Sequence, residues 1–86
     1  MPTISCFYGI VIRMLFAGDS PPHFHAYYSG CSATLTIRDL SLLRGTLPSR
    51  AASLVRVWAS LHREELMKAW ELCEADLLPD PIEPLE

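Results

Sequence analysis

The second half of the chain carries one long helical pattern, which restricts the fold more than any other feature. The pattern begins at Pro48 and Ser49 and continues to residue 78, where Pro79 and Pro81 end it. Apolar side chains recur at the spacing of one helix face, and charged side chains occupy the other face. An amphipathic helix of this length must bury its apolar stripe against a second layer. We therefore expect a long C-terminal helix that covers such a layer.

The first half of the chain supplies this layer as β-strands. Its apolar runs are short, rich in β-branched and aromatic residues, and separated by turns that contain glycine or proline. Ser29 and Gly30 form a two-residue hairpin signal. The predicted strands are residues 3–8, 10–16, 23–28, 31–38 and 40–43. The predicted fold class is α+β, an antiparallel sheet of four to five strands covered on one face by the long C-terminal helix.

Length and composition indicate one domain. The chain has 86 residues, half of them hydrophobic, which is enough for a single core and too little for two. We assign residues 1–78 to a single α+β domain and residues 79–86 to a proline-rich acidic tail. The tail is expected to be extended or mobile.

Charge and cysteine content narrow the function classes. A pI of about 5.5 argues against non-specific binding of polyanions. The three cysteines are widely spaced, and the first residues lack the pattern of a secretory signal. No apolar run approaches the roughly 18 residues that suggest a membrane span. We expect a cytoplasmic protein with reduced thiols and no membrane contact.

Alternation along the strands predicts which side chains face away from the helix. Burial of Phe24 would send His23, His25 and Tyr27 to the opposite, open face of the sheet. The neighbouring strands are expected to add polar and charged side chains there: Arg13, Thr34, Thr36 and Arg38. They are also expected to add apolar side chains: Val11, Leu15 and Phe7.

The open-face residues have the chemistry of a site that acts on RNA. Imidazole serves as general acid or base near neutral pH, arginine binds phosphate, and tyrosine stacks on bases. The candidate catalytic residues are His23, His25, Tyr27 and Arg38. The candidate binding residues are Arg13, Thr34 and Thr36. The alternative is that these side chains only solvate a half-exposed sheet.

A metal site is a second interpretation of the His-x-His spacing. Two imidazoles on one face of a strand can bind the same ion. The nearest third ligand is Asp19 in the preceding loop, so the ligands of an ion would be His23, His25 and Asp19. The pair alone does not favour a metal, and no cofactor is predicted.

The predicted helix carries a second polar cluster. His62 lies near the centre of the apolar face, and Glu65 lies at its edge. The simpler interpretation is a core histidine bonded to Glu65 or to a strand carbonyl. The alternative joins His62 and Glu65 to His23 and His25, which requires Phe24 to face outward.

Several motifs occur in an order that resembles a known family. "MPTI", "FYGIVIRM", "PPHFHAYY", "LHREEL" and a final "IEPL" are similar to the small bacterial domain-of-unknown-function family 4160, over nearly the whole chain. The resemblance implies one compact domain with strands first and a helix last. Members of the family are commonly suspected to be toxin-like halves of toxin–antitoxin pairs. No catalytic residue is established for them, so the resemblance transfers none.

Three hypotheses follow. The leading one is a toxin-like component of a two-gene module that binds a small antitoxin-like protein and acts on RNA through the open face. The second is a non-enzymatic interaction module that binds a partner protein or forms a homo-oligomer. The third is a metal-binding protein that uses the His-x-His pair.

Overall fold

The computed structural model describes residues 2–18 and 20–86, which form five strands followed by two helices. The strands are β1 (Thr3–Phe7), β2 (Ile10–Arg13), β3 (His23–Tyr28), β4 (Cys31–Thr36) and β5 (Leu42–Gly45). The helices are α1 (Ser49–Leu61) and α2 (Arg63–Glu74). The predicted α+β class and the antiparallel sheet are confirmed.

The sheet is a meander in which each strand pairs with the next one along the chain. Two of its turns are tight. Tyr8 and Gly9 have φ values of 50° and 80°, and Ser29 and Gly30 have values of 47° and 82°. Two-residue hairpin turns with positive φ match the twist of the flanking strands. The predicted hairpin at Ser29 and Gly30 is therefore confirmed.

One face of the sheet packs against the helices and forms the core. Phe24 is fully buried, and its ring centroid lies 6.1 Å from that of Trp58 on α1. Phe24 therefore faces inward, as alternation predicts. The other buried hydrophobic residues from β2 to the residue after β4 are Ile10, Ile12, Met14, Ala26, Ala33, Leu35 and Ile37.

Phe7 also faces the core, so its predicted place on the open face is wrong. It pairs with the core residue Ile10 across β1 and β2. Its ring centroid lies 5.3 Å from that of Trp58. A register shift near the start of β1 disturbs the alternation there. Cys6 takes the exposed position instead.

The prediction of a single long helix is wrong, because α1 and α2 are separated at His62. The backbone of His62 is not helical, with φ −125° and ψ 27°. On an unbroken helix Trp58 and Trp70 would point about 120° apart, so only one could face the sheet squarely. The break allows both to be buried. Neither helix is long and apolar enough to cross a membrane.

Helix α2 covers one end of the predicted open face. The ring centroid of Trp70 lies 5.3 Å from that of Phe16 and 5.0 Å from that of His23. His23 is consequently only 5% exposed, and the expectation that it meets solvent freely is wrong. His25, two residues further along β3, is half-buried.

The tail, residues 79–86, has no regular secondary structure but packs against the domain. Ile82 is 5% exposed, and its N–H donates to the carbonyl of Ile4 over 2.7 Å. The indole Nε1 of Trp58 donates to the carbonyl of Glu83 over 2.8 Å. The tail therefore contacts the outer strand β1. The division of the chain at residue 78 stays a prediction.

Replacement of Ile82 tests this packing. Ile82→Ala is expected to lower the free energy of unfolding by about 2–4 kcal/mol, because it leaves a cavity beneath the tail. Leu78→Ala removes a side chain that is 81% exposed and should cost less than about 0.5 kcal/mol. Urea unfolding followed by tryptophan fluorescence measures both. Equal stability of the two variants would contradict the docking of the tail.

Candidate functional site

A row of polar side chains crosses four strands on the face opposite the core. The register pairs Arg13 of β2 with His25 of β3, and His25 with Thr34 of β4. Thr34 in turn pairs with Arg44 of β5. Side chains of residues paired across antiparallel strands lie on the same face, with Cβ atoms about 5 Å apart. The row therefore places His25 between two arginines.

A pocket of about 360 Å³ lies over one part of this row. We call it the His25 pocket. Its polar lining includes His23, His25, Thr34 and Arg44. Its apolar lining includes Leu15 and Leu43, which are 52% and 46% exposed. A concave site with a few convergent polar groups is the usual form of a ligand site, and this volume lies at the lower end of the range.

His25 has the environment of a general base. Its Nδ1 lies 3.0 Å from the hydroxyl oxygen of Thr34, and this hydrogen bond orients the ring. Partial burial lowers the pKa of His25 below 6.5, and nearby His23 and Arg44 lower it further. His25 is therefore neutral at neutral pH and can accept a proton.

His23 is held rigidly beside His25. The two imidazole centroids are 5.1 Å apart, with the rings nearly perpendicular. Nδ1 of His23 donates to the carbonyl of Pro21 over 2.8 Å. Because a carbonyl only accepts, Nδ1 carries the proton and Nε2 is the basic nitrogen of the neutral ring. Packing against Trp70 fixes the ring from another direction.

Arg13 and Tyr27 form a pair beside the His25 pocket. The guanidinium carbon of Arg13 lies 5.3 Å from the centroid of the Tyr27 ring, a cation–π contact. Neither residue lines the His25 pocket. Tyr27 pairs with Val11 and Ser32, so it lies on the same face as His25, two residues along the strand.

Thr36 is the last residue of β4, and Arg38 lies in the turn that follows it. The hydroxyl of Thr36 donates to the carboxylate of Asp39 and also accepts from the N–H of Ser41. The Asp39 carboxylate accepts from the Thr36 hydroxyl and from the hydroxyl and N–H of Ser41, and these hydrogen bonds lower the pKa of Asp39. Thr36 is thereby committed to the turn between β4 and β5. Arg38 is exposed within the same turn.

The second polar cluster lies on the other side of the sheet. Nδ1 of His62 is 2.7 Å from a carboxylate oxygen of Glu65, which is the simpler of the two expected arrangements. The His62 ring lies 5.6 Å from that of Trp58, on the core side. With Phe24 facing inward, His62 and His25 occupy opposite sides of the sheet. The alternative in which both clusters form one site is therefore wrong.

Two of the three suggested metal ligands, His23 and His25, lie together. The third, Asp19, falls outside the described residues. Within residues 2–18 and 20–86, no group of three or more histidine, cysteine, aspartate or glutamate side chains is arranged to hold a metal ion.

One family model, described as Domain of unknown function (DUF4160), matches residues 9–71. The matched segment runs from the first turn into α2 and contains every residue of the row and the His25 pocket. The chain belongs to this family. No curated protein and no solved structure matches the chain significantly. In this DUF4160 chain the assignment of the site therefore rests on its geometry.

Arg44 is the pocket residue that sequence reasoning missed. The predicted fifth strand ended at residue 43, whereas β5 continues to Gly45. A register shift between Thr34 and Leu35 then sets Arg44 opposite Thr34. The signal that could have found it is the uneven distribution of charge along the chain.

Positive and negative side chains are unevenly distributed along the chain, which the net charge alone does not show. Residues 1–63 contain six arginines and two acidic residues, a balance of +4. Residues 64–86 contain one lysine and eight acidic residues, a balance of −7, which completes the net charge of −3. Residues 1–48, which contain the sheet, hold three of these arginines and both acidic residues, whereas the other three arginines lie in α1 and at the start of α2. The acidic pI comes from residues 64–86 of α2 and the tail.

The pKa of His25 can be measured by NMR titration of its ring and is expected below 6.5. Arg44→Gln should raise it, because a nearby cation that disfavours the imidazolium is removed. Lys68→Gln, which removes a cation from α2, should leave it unchanged. A pKa that does not respond to Arg44→Gln would contradict the proximity of the two side chains.

The lowered pKa of His25 also makes the free energy of unfolding depend on pH. The folded chain binds the His25 proton less readily than the unfolded chain, so the unfolding free energy falls as the pH drops below 6.5 towards the lowered pKa. His25→Gln should lose less stability over this pH range than the wild type. Chemical unfolding at several pH values tests the difference, and identical pH profiles would contradict it.

Proposed function

We propose that this chain is a toxin-like component of a two-gene module and that it cleaves RNA in the His25 pocket. The row that places His25 between Arg13 and Arg44 is the observation that carries the proposal. A neutral base next to a phosphate-binding cation is the minimum that cleavage by an internal 2′-hydroxyl requires.

In the proposed reaction, His25 takes the proton of a 2′-hydroxyl, and the 2′ oxygen attacks the neighbouring phosphorus. The bond from phosphorus to the 2′ oxygen forms as the bond to the 5′ oxygen breaks. The 5′ oxygen takes a proton from water, and His25 returns its proton to the hydroxide. The products are a 2′,3′-cyclic phosphate and a 5′-hydroxyl. DNA lacks the 2′-hydroxyl and is not a substrate.

Arg44 is proposed to bind the phosphate during this step. Its planar guanidinium can make two parallel hydrogen bonds to phosphate oxygens and stabilise the charge that develops on them. Thr34 is proposed to hold the His25 ring, with which it shares a hydrogen bond. The pair of Tyr27 and Arg13 lies beside these groups and is suited to stack on an unpaired base.

The charge distribution supports RNA as the substrate. A pI of about 5.5 speaks against a polyanion ligand if the charge is taken as uniform. The acidic residues, however, are concentrated in residues 64–86, while the arginines lie in residues 1–63. RNA that approached the outer face of β2 to β5 would meet Arg13 and Arg44, which lie on either side of His25 in the row. The cysteines are all free, which accords with action in the cytoplasm.

A non-enzymatic interaction module is the second candidate function. Three leucines around β5 favour it: Leu15, Leu42 and Leu43 are 52%, 48% and 46% exposed. Exposed apolar side chains that lie near one another are typical of a surface that binds a partner.

The experiment compares a labelled single-stranded RNA with the DNA of the same sequence, in the presence of a chelator. His25→Gln and Arg44→Gln should each lower kcat/KM for RNA by about 10²–10⁴-fold. His62→Gln, which changes the histidine on the other side of the sheet, should retain activity. A cyclic phosphate end should be found on the product.

Two results would contradict the proposal. One is cleavage of DNA at the rate of RNA. The other is full activity of a folded His25→Gln variant, with circular dichroism confirming the fold. Complete absence of cleavage with every RNA tested would favour the interaction module.

A further inference from the structure

The two edges of the sheet differ in how they are covered. At β1, the N–H of Ile82 in the tail donates to the carbonyl of Ile4. At the other edge, β5 pairs with β4 alone as far as the described chain shows, and all four of its residues are exposed. An uncovered edge strand presents unpaired N–H and carbonyl groups to any extended segment. The chain covers one edge and leaves the other available.

A pocket lies on each side of β5. On the outer face, Leu43 and Arg44 line the His25 pocket. On the core side, Leu42 and Arg56 help to line a second pocket of about 180 Å³. A strand added to β5 would point successive side chains to opposite faces of the sheet. Each pocket would then receive side chains of the added strand, and each offers a leucine and an arginine.

The charge around β5 selects the chemistry of its partner. Three arginines lie on or beside this strand: Arg44 belongs to it, Arg38 lies in the turn before it, and Arg56 lines the pocket on its core side. The acidic residue in this region, Asp39, already accepts hydrogen bonds from Thr36 and Ser41. A segment rich in carboxylates would therefore be attracted. A second copy of β5 would bring two sets of these arginines together.

We infer that β5 is the docking edge for an extended acidic segment of a partner protein, which adds to the sheet as a sixth strand. Main-chain hydrogen bonds to β5 hold the segment, and the two flanking pockets select its side chains. The register shift opposite Leu43 limits regular pairing to a few residues. The segment is therefore short, and Leu42 and Leu43 become buried when it binds.

Docking at β5 also closes the His25 pocket, because Leu43 and Arg44 belong to both surfaces. The partner carboxylate on Arg44 takes the place of a phosphate. The docked segment therefore inhibits RNA cleavage. This regulatory part rests on the proposed function, whereas the docking itself does not.

The test of docking uses a capped six-residue peptide of alternating glutamate and valine as the probe. At millimolar concentration it should cause saturable NMR shifts in β5 amides. Two control peptides should bind at least tenfold more weakly. One has lysine in place of glutamate. The other is methylated on alternate backbone nitrogens, which removes the edge hydrogen bonds and keeps the charge.

Two variants at Leu42 separate the effect of charge on peptide binding from any effect of losing the leucine side chain. Leu42→Glu should weaken peptide binding at least tenfold more than Leu42→Lys does, although both remove the same apolar side chain. Equal binding of the glutamate and lysine peptides would overturn the inference. So would the absence of saturable shifts, shifts confined to other surfaces, or a concentration-dependent dimer that buries β5 in sedimentation and NMR experiments.

The regulatory part is tested with the RNA assay. The glutamate peptide should inhibit cleavage by the wild type and by Leu42→Lys, and should inhibit Leu42→Glu much less. Binding at β5 without inhibition of active protein would overturn the regulatory part. If the chain cleaves no RNA, the proposed function fails, while the NMR titration still decides whether β5 is a docking edge.

Discussion

The contact between Phe24 and Trp58 orients β3, and the outer face of the sheet depends on that orientation. With Phe24 in the core, alternation places His25 on the opposite side. A slip of β3 by one residue would expose the phenyl ring and bury the imidazole. It would forfeit about 2–3 kcal/mol of apolar burial and add the cost of a buried polar group. Core packing therefore maintains the position of the candidate base.

Alternation is sufficient to predict the outer residues of β2 to β4, since each of these strands has one clearly apolar face. It cannot place Arg44, because β5 carries leucines that are exposed on both of its faces and so has no apolar side. The break at His62 is equally inaccessible from the sequence, since neither proline nor glycine lies there. It arises from the tertiary packing of Trp58 and Trp70, which an unbroken helix period cannot satisfy.

The arrangement of charge links the two proposals. Net charge describes how a chain behaves at a distance, while the residues around a pocket set the local field. Here the two arginines of the row give a positive local field, and the acidic residues of α2 and the tail give a negative one, within one small chain. Arg44 lies where the His25 pocket meets the β5 edge. An RNA phosphate and a partner carboxylate would compete for this one guanidinium, so catalysis and neutralisation become mutually exclusive.

The hydrogen bond between Ile82 and Ile4 has a consequence for the order in which the molecule is made. Every strand pairs with its immediate neighbour, so the sheet can assemble progressively while the chain is still growing. The covering of β1 must wait until residue 82 has emerged from the ribosome. A nascent chain that ends before this point has two open sheet edges instead of one. Late synthesis of the tail thus determines when the growing chain stops presenting a second surface for aggregation.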